Sequence, residues 1–160
     1  MDITFKTDEG KFNYRVAGII IYNDKLLIMR DGKNSHYYLP GGRVKMNENS
    51  KEAITREIKE ELGIHCKINH LLYVDENFFI EDGSKVKFHE LGFYYLIDID
   101  TSLLPKGESF ELKDTDGIIH SFTWKDLSEI KDLYIYPLFL KEGLVSLENT
   151  TTHIIENEFL

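Results

Sequence analysis

The sequence has very little cysteine: its 160 residues include a single one, Cys66. A lone cysteine cannot form an internal disulfide, and a metal site built from paired cysteines is excluded. We expect Cys66 to be a small buried apolar side chain between strand-like neighbours. The six histidines are scattered without the spacing of a zinc-binding pair, so the sequence does not predict a zinc protein.

Long hydrophobic runs are also missing. The longest aliphatic stretch, around Ile19–Ile21, is far shorter than the ~20 residues that a membrane-spanning helix needs. The first residues, Met1–Lys6, contain no apolar core of a signal peptide. We therefore expect a cytoplasmic protein that does not enter a membrane.

Positive charge is scarce as well, since 19 Lys and Arg residues face 28 Asp and Glu residues, for a net charge of −9. Such a chain is poorly suited to bind polymeric nucleic acid or an anionic membrane surface. It can act on a small phosphate compound only if a cation lies between the two sets of negative charge.

The hydrophobic pattern predicts one domain, residues 1–160, of α+β class. A long helix should begin at Asn49 or Ser50 and end at Gly63, which suits the left-handed position after a helix. Two short helices are expected at 125–130 and 137–147, and residues 100–116 read as a loop. The predicted strands are residues 14–22, 25–29, 67–79, 86–99, 120–124 and 151–156.

Three acids of the long helix, Glu57, Glu60 and Glu61, are spaced so that they point the same way and repel one another. A solvated charged face is one interpretation. However, the acids flank the buried ridge of the helix instead of lying opposite it. That position favours a hard cation such as Mg²⁺, which takes oxygen ligands and shares its coordination shell with phosphate. The apolar ridge consists of Ile54, Ile58 and Leu62.

A longer motif surrounds these acids. From Gly42 the chain reads Gly, five residues, Glu48, seven residues, and then Arg-Glu-Ile-Lys-Glu-Glu-Leu-Gly-Ile over 56–64. This segment resembles the Nudix box of the MutT-like hydrolases, G-x5-E-x7-R-E-U-x-E-E-x-G-U with U aliphatic, at every defined position. The preceding stretch 38–42 and Trp124 are also similar to that family.

The resemblance implies a Nudix-type α/β/α sandwich with a mixed sheet and the box as a loop-helix-loop. It implies an enzyme that uses Mg²⁺ or Mn²⁺ to hydrolyse a diphosphate linkage in a small nucleotide-like substrate. The implied metal ligands are the carbonyl of Gly41 and the side chains of Glu57, Glu60 and Glu61. The implied catalytic residues are Arg56, which orients the acids, together with Glu60 and Glu61, and one of the glutamates would activate water. Glu48 would brace the loop, and Gly42 and Gly63 would be structural.

Two loop residues depart from what many family members carry. Asn47 stands where a glycine is common, and it must then take the turn itself, which Asn tolerates better than most residues. Lys45 stands where an acid is common, and it either meets a phosphate or is a solvated loop lysine.

Substrate contacts are less well defined by the sequence. Phe79 stands where ADP-ribose hydrolases of the family often carry proline, and no signature of NADH or coenzyme A hydrolases is visible. The expected base or sugar contacts are Arg15, Tyr37, Phe78, Phe79 and Tyr95, although a strand aromatic is more often part of the core. Arg30 and Arg43 could hold phosphate. A further acid could come from Glu90, Glu111 or Asp116.

The sequence leaves two other functions open. One is a nucleotide-sensing module without catalysis, which the complete set of box acids disfavours. The other is an isoprenoid-diphosphate isomerase on the same scaffold, for which Cys66 is badly placed. Many family members pair, so we expect a homodimer.

Overall fold

The computed structural model describes residues 1–144 and 150–160, and it contains two β-sheets and one α-helix. The elements in chain order are β1 (Thr4–Thr7), β2 (Gly10–Ile19), β3 (Ile21–Tyr22), β4 (Lys25–Arg30), β5 (Gly41–Arg43), α1 (Ser50–Leu62), β6 (Cys66–Ile80), β7 (Lys87–Ile99), β8 (Ser109–Lys113), β9 (Ile119–Asp126) and β10 (Thr152–Asn157). Short 3-10 helices cover Thr101–Leu103, Leu127–Asp132 and Leu138–Glu142.

The larger sheet is mixed, with strand order β1-β2-β7-β6-β10 and with β5 paired to β2. β2 runs parallel to β7, and β10 runs parallel to β6, whereas the other pairs are antiparallel. The smaller sheet has the order β3-β4-β9-β8 and is antiparallel. The predicted mixed sheet is therefore confirmed.

The helix α1 packs on one face of the larger sheet through fully buried Ile54 and Ile58, which belong to one core cluster with Val16 of β2 and Phe122 of β9. A second apolar cluster lies on the other face, where Ile130 and Leu140 of the 3-10 helices cover buried residues of β2, β4 and β6. Layers on both faces give the α+β sandwich that the sequence predicts.

The ends of α1 are set as expected. Asn49 is the N-cap, and its side chain accepts from the backbone N–H groups of Lys51 and Glu52, while the Glu52 carboxylate accepts from the N–H of Asn49. Gly63 closes the helix at φ 72°.

In the hairpin before the box, Asn23 and Asp24 take positive φ values of 50° and 59°, as a tight two-residue turn requires.

Some elements differ from the prediction. The segments expected to form short helices are 3-10 helices, since each offers a single fully buried side chain, too few to stabilise an amphipathic α-helix. The end of the predicted helix 137–147 falls outside the described residues. The expected loop 100–116 contains strand β8, because Phe110 packs against the core and pairs across to Phe122. The short strands β1 and β5 were not predicted.

No helix within residues 1–144 and 150–160 is long and apolar enough to cross a membrane.

Candidate functional site

A cleft of about 810 Å³ opens where α1, the larger sheet and several loops meet. Its floor is the sheet face that carries Arg15, Glu90 and Phe79, and one wall is formed by β5 and the acids of α1. The surrounding loops contribute Asp31, His36, Asp82, Asp114, Asp116, Tyr134 and Tyr136.

Glu61 is the most buried acid of this wall, with 7% of its surface exposed. Its carboxylate accepts a hydrogen bond of 2.9 Å from the backbone N–H of Gly41, which ties α1 to the glycine pair. Burial raises the pKa of Glu61 to about 8, despite that hydrogen bond. Burial also raises the pKa of Glu57, against the opposing effect of Arg56.

Arg56 organises the other acids through five hydrogen bonds. Its Nε and Nη2 atoms form a fork on Glu48, at 2.6 and 2.9 Å. Its Nη1 atom reaches Glu57 at 2.7 Å and Glu60 at 3.3 Å. Glu48 also accepts from the backbone N–H of Lys45, so the loop and the helix are joined through one guanidinium. Arg56 lowers the pKa of Glu48.

The glycine pair allows the loop to approach this wall closely. A Cβ atom at Gly42 would collide with the carboxylate of Glu57, and one at Gly41 would collide with the backbone of Val16 and Ala17. A larger residue at either position would therefore displace the acids or β2.

The acids of the wall have the chemistry of a hard-cation site. Glu57, Glu60, Glu61 and the carbonyl of Gly41 offer only oxygen, the donor that Mg²⁺ and Mn²⁺ favour. Burial disfavours the charged forms of Glu57 and Glu61, and a divalent cation would supply the opposite charge. Across residues 1–144 and 150–160, no three acidic, histidine or cysteine side chains are already gathered around one point. The reason is that Arg56 holds Glu57 and Glu60, while Glu61 turns to Gly41.

Arg15 lies on the cleft floor between these acids and Glu90. Burial opposes its charged form, yet Glu90, Glu61 and Glu57 together raise the pKa of Arg15, so it remains a cation. Among the described residues, no carboxylate lies within 4 Å of its guanidinium to form an ion pair. Its charge is therefore available to an anionic ligand.

Other residues that the sequence singled out divide between the cleft and other surfaces. Arg43, Phe79, Glu90 and Asp116 line the cleft together with Arg15. Phe78 points to the opposite side of β6, where its ring stacks on His89, because neighbouring residues of a strand alternate between its faces.

Four further residues lie away from the cleft. The Arg30 guanidinium stacks on the ring of Tyr37, 4.8 Å from its centroid. Tyr95 is buried in the core beside α1, and its hydroxyl is 2.6 Å from that of Ser50. Glu111 is exposed on β8. Each of these side chains is occupied by packing or by solvent instead of facing the ligand space.

The departures from the family pattern have a local explanation. Asn47 takes a left-handed conformation with φ 67°, so it makes the turn that a glycine usually makes. Cys66 is partly buried and packs against the core cluster of α1, on the face of the sheet opposite the cleft.

The sequence pattern did not single out several cleft residues. Asp114 accepts from the backbone N–H groups of Asp116 and Ile118 and lies 2.8 Å from Nε2 of His120. Asp31 accepts from the backbone of Lys33 and Asn34. Both aspartates lie in segments rich in Asp, Gly and Asn that read as ordinary turns. Only the tertiary fold brings them to the cleft.

Comparison with protein families places this geometry in a known context. The sequence model of the NUDIX domain matches residues 13–139. A solved structure of a MutT protein from Bacillus halodurans is similar with a TM-score of 0.59 and 18% identity, covering 88% of this chain and 89% of that chain. Likeness at this level of identity shows a shared fold.

Two of the relatives that carry named activities match only part of this chain. The 8-oxo-dGDP phosphatase NUDT18 of Homo sapiens is 41% identical over 64 residues, which are 38% of this chain and 20% of that protein. The ADP-ribose pyrophosphatase of Methanocaldococcus jannaschii is 31% identical over 96 residues, which are 58% of this chain and 54% of that protein. The matched regions thus span a fifth and about half of these relatives.

Proposed function

This chain belongs to the Nudix family, and from that premise we propose that it is a pyrophosphohydrolase that uses Mg²⁺ or Mn²⁺. The proposed reaction is hydrolysis of a diphosphate linkage in a nucleoside diphosphate derivative or nucleotide. It would release a nucleoside monophosphate or another phosphate-bearing product. The activities named for NUDT18 and for the ADP-ribose pyrophosphatase support this class of substrate.

The observation that carries the proposal is the pair of carboxylates at the cleft wall, buried Glu61 and half-buried Glu57. Glu57 and Glu61 are held in an environment that disfavours their charge, within a cleft that also contains the half-buried cation Arg15. Keeping two such acids together is costly unless positive charge completes the site. The arrangement suits a ligand that brings both a cation and phosphate.

In the proposed site, Glu57, Glu60, Glu61 and the Gly41 carbonyl would hold the metal. When bound, the metal would polarise a phosphoryl oxygen and lower the pKa of a bound water. Arg56 keeps the acids in fixed directions through its fork on Glu48. Arg15 would bind a substrate phosphate from the cleft floor.

Glu60 and Glu61, the two candidates for activating water, differ in exposure and in hydrogen bonding. Glu60 is 35% exposed and makes a single contact of 3.3 Å to Arg56. Glu61 is buried and bonded to Gly41. We assign Glu60 and Glu61 as the acids that act on water and metal, and kinetics of the separate variants would distinguish their roles.

The proposal concerns small nucleotides and not polymers. The net charge of −9 disfavours binding of a nucleic-acid backbone, and five acids of the cleft wall and rim, Asp31, Glu57, Glu60, Glu61 and Asp114, would repel an anion that arrives without a metal.

The decisive experiment compares Glu61→Gln with wild type on a panel of ADP-ribose, nucleoside diphosphates and triphosphates, nucleotide sugars and dinucleoside polyphosphates. Turnover with Mg²⁺, followed by phosphate release and product mass, should fall by about 10²–10⁴-fold in the variant. Circular dichroism should show an intact fold. The exposed Glu111→Gln variant is the matched control and should keep wild-type turnover. Wild-type activity in Glu61→Gln, or activity that persists in chelator, would refute the proposal.

A further inference from the structure

The cleft-facing side of the larger sheet is ordered in rows across its strands. Arg15 of β2 is the register partner of Gly92 in β7, both line the cleft, and Arg15 lies near Glu57 and Glu61 of α1. Two residues further along the same strands, Asn13 is the partner of Glu90. Successive rows on one face are two residues apart, about 6.6 Å.

The next row along the floor is aromatic. Phe88 of β7 and Phe79 of β6 are register partners, and their rings stack with centroids 4.9 Å apart and planes at 12°. Both line the cleft, and Lys11 extends over the Phe88 ring. Starting from the box, the floor therefore presents a cation, then a polar row, then a pair of aromatic rings.

Glu90 is the acidic member of the polar row, and its orientation is fixed by a chain of hydrogen bonds. Nδ2 of Asn13 donates to Oε2 of Glu90 at 3.2 Å. Oδ1 of Asn13 accepts from the hydroxyl of Thr4 at 2.6 Å. Asn13 is only 3% exposed, and both its amide oxygen and its amide nitrogen are hydrogen-bonded within the protein. These contacts set the direction of the Glu90 carboxylate.

The second oxygen of that carboxylate, Oε1, has no hydrogen-bond partner among the residues that the structure describes. Glu90 faces the cleft. An ionised carboxylate only accepts hydrogen bonds, so the vacant position suits an O–H or N–H donor and repels phosphate.

The order of the three rows matches the order of groups in a nucleotide. Phosphate suits Arg15, and a base can stack on the aromatic pair. The unit between phosphate and base is the sugar, whose hydroxyls are donors. An Asp or Glu side chain hydrogen-bonds the ribose 2′-hydroxyl in dinucleotide-binding folds, so the pairing is chemically sound.

Building on the proposed function, we propose that Glu90, positioned by Asn13, accepts a hydrogen bond from the ribose 2′-hydroxyl of the substrate. The site would thereby select ribonucleotides over 2′-deoxyribonucleotides. A site that is built to bond a substrate hydroxyl rejects the analogue that lacks it. A hydrogen bond to a charged acceptor corresponds to about 10- to 100-fold in efficiency.

The test uses the full chain with Mg²⁺ and matched pairs: ADP with 2′-deoxy-ADP, GDP with 2′-deoxy-GDP, and ATP with 2′-deoxy-ATP. The kcat/KM of wild type should favour the ribo member of each hydrolysed pair by about tenfold or more. Glu90→Gln should lower the ribo value and leave the deoxy value nearly unchanged, so that the ratio approaches one. Glu90→Asp, which shortens the side chain by one methylene, provides the same test if the amide variant does not fold.

Asn13→Ser tests the positioning role. It should reduce the ribo-to-deoxy ratio while kcat for the deoxy substrate persists, which a loss of folding would not produce. Glu111→Gln, on the exposed face of β8, should keep the wild-type ratio.

Binding separates this inference from the proposed function. Calorimetry with the slow Glu61→Gln variant measures affinity for ADP and 2′-deoxy-ADP without requiring hydrolysis. A ribo preference that Glu90→Gln abolishes, in a protein whose wild type hydrolyses no compound of the substrate panel, would support the sugar contact and refute the hydrolase. Equal efficiency and equal affinity for the two sugars, or a preference that survives Glu90→Gln, would overturn the sugar contact alone.

Discussion

At the scale of single residues, Arg56 decides how the cleft wall is arranged. One guanidinium contacts Glu48, Glu57 and Glu60 and also donates to the carbonyl of Arg43 at 3.0 Å. A lysine at this position would keep the charge but lose the planar fork, since an ammonium is a point charge on a flexible stem. The carboxylates would then lose their fixed directions.

We predict that Arg56→Lys lowers kcat/KM at least tenfold and reduces the free energy of unfolding by about 1–3 kcal/mol, as expected when hydrogen bonds to charged groups are lost. Urea denaturation and steady-state kinetics measure the two effects. Arg30→Lys is the matched control, because Arg30 is exposed and stacks on Tyr37 outside the cleft. If both variants behave alike, the fork has no special role.

At the scale of elements, α1 depends on its first turn to present the acids. Asn49 and Glu52 form a reciprocal capping box. The two side chains satisfy backbone N–H groups that would otherwise lack partners at the helix start. Glu48, which binds the Arg56 guanidinium, immediately precedes Asn49 in the chain. The cap therefore also anchors the loop that carries Glu48.

We predict that Asn49→Ala reduces the free energy of unfolding by about 1 kcal/mol, the usual cost of removing an N-cap. Hydrogen exchange should accelerate most for the amides of Lys51 and Glu52, which the Asn49 side chain accepts from. Asn69→Ala, at an exposed position of β6, should change stability little. Uniform acceleration over the whole chain would argue against a local cap effect.

The elements also show what a sequence can and cannot predict. The helix was predictable because Asn49, the apolar ridge and Gly63 are local signals, each read within a few residues. Strand β8 was not predictable from the sequence. Its alternation of apolar and polar residues, with Phe110 and Leu112 as the apolar ones, extends over only a few residues and follows a segment that contains Pro and Gly. The pairing of Asn13 with Glu90 joins residues 77 positions apart. Such contacts depend on register, which local patterns do not contain.

At the scale of the whole molecule, negative charge is concentrated where an anion should bind. Glu57, Glu60 and Glu61 share the cleft with Glu90 and Asp114, and Arg15 is the cation at its floor. With this balance, the proposed function of a chain of charge −9 requires that its affinity for phosphate compounds depend on a divalent ion. A second group of acids lies outside the Nudix box, between β6 and β10.

A carboxyl pair joins β10 to β6. Asp75 is 1% exposed, and neither of its carboxylate oxygens has a donor among the described residues. Burial and the neighbouring Glu156 raise the pKa of Asp75, and burial raises that of Glu156. The pair also has negatively charged or polar neighbours. These are Glu90, Glu142, Glu158 and Tyr94. A proton on Asp75 lets it donate to Glu156.

This pair predicts that stability falls as pH rises. Below a pKa of about 4, the ordinary value for a carboxyl, the group is protonated in both the folded and the unfolded chain. Above it the unfolded chain releases the proton, whereas the folded chain keeps it because its pKa is raised. The free energy of unfolding should therefore decline with pH until the folded pKa is passed, by up to about 1.4 kcal/mol per pH unit for one proton. Denaturation in urea between pH 4 and 9, in chelator, measures the slope.

Asp75→Asn isolates the contribution of the pair, because Glu61 and Glu57 titrate equally in both proteins and cancel in the difference. The variant should show a flatter profile, and the protection factors of the β10 amides, which are corrected for base-catalysed intrinsic exchange, should no longer fall as pH rises. Asp98→Asn, at an exposed position of β7, should retain the wild-type slope. If Asp75→Asn keeps that slope as well, the proton is not shared across β6 and β10, and the C-terminal strand must be held by its backbone ladder and apolar contacts alone.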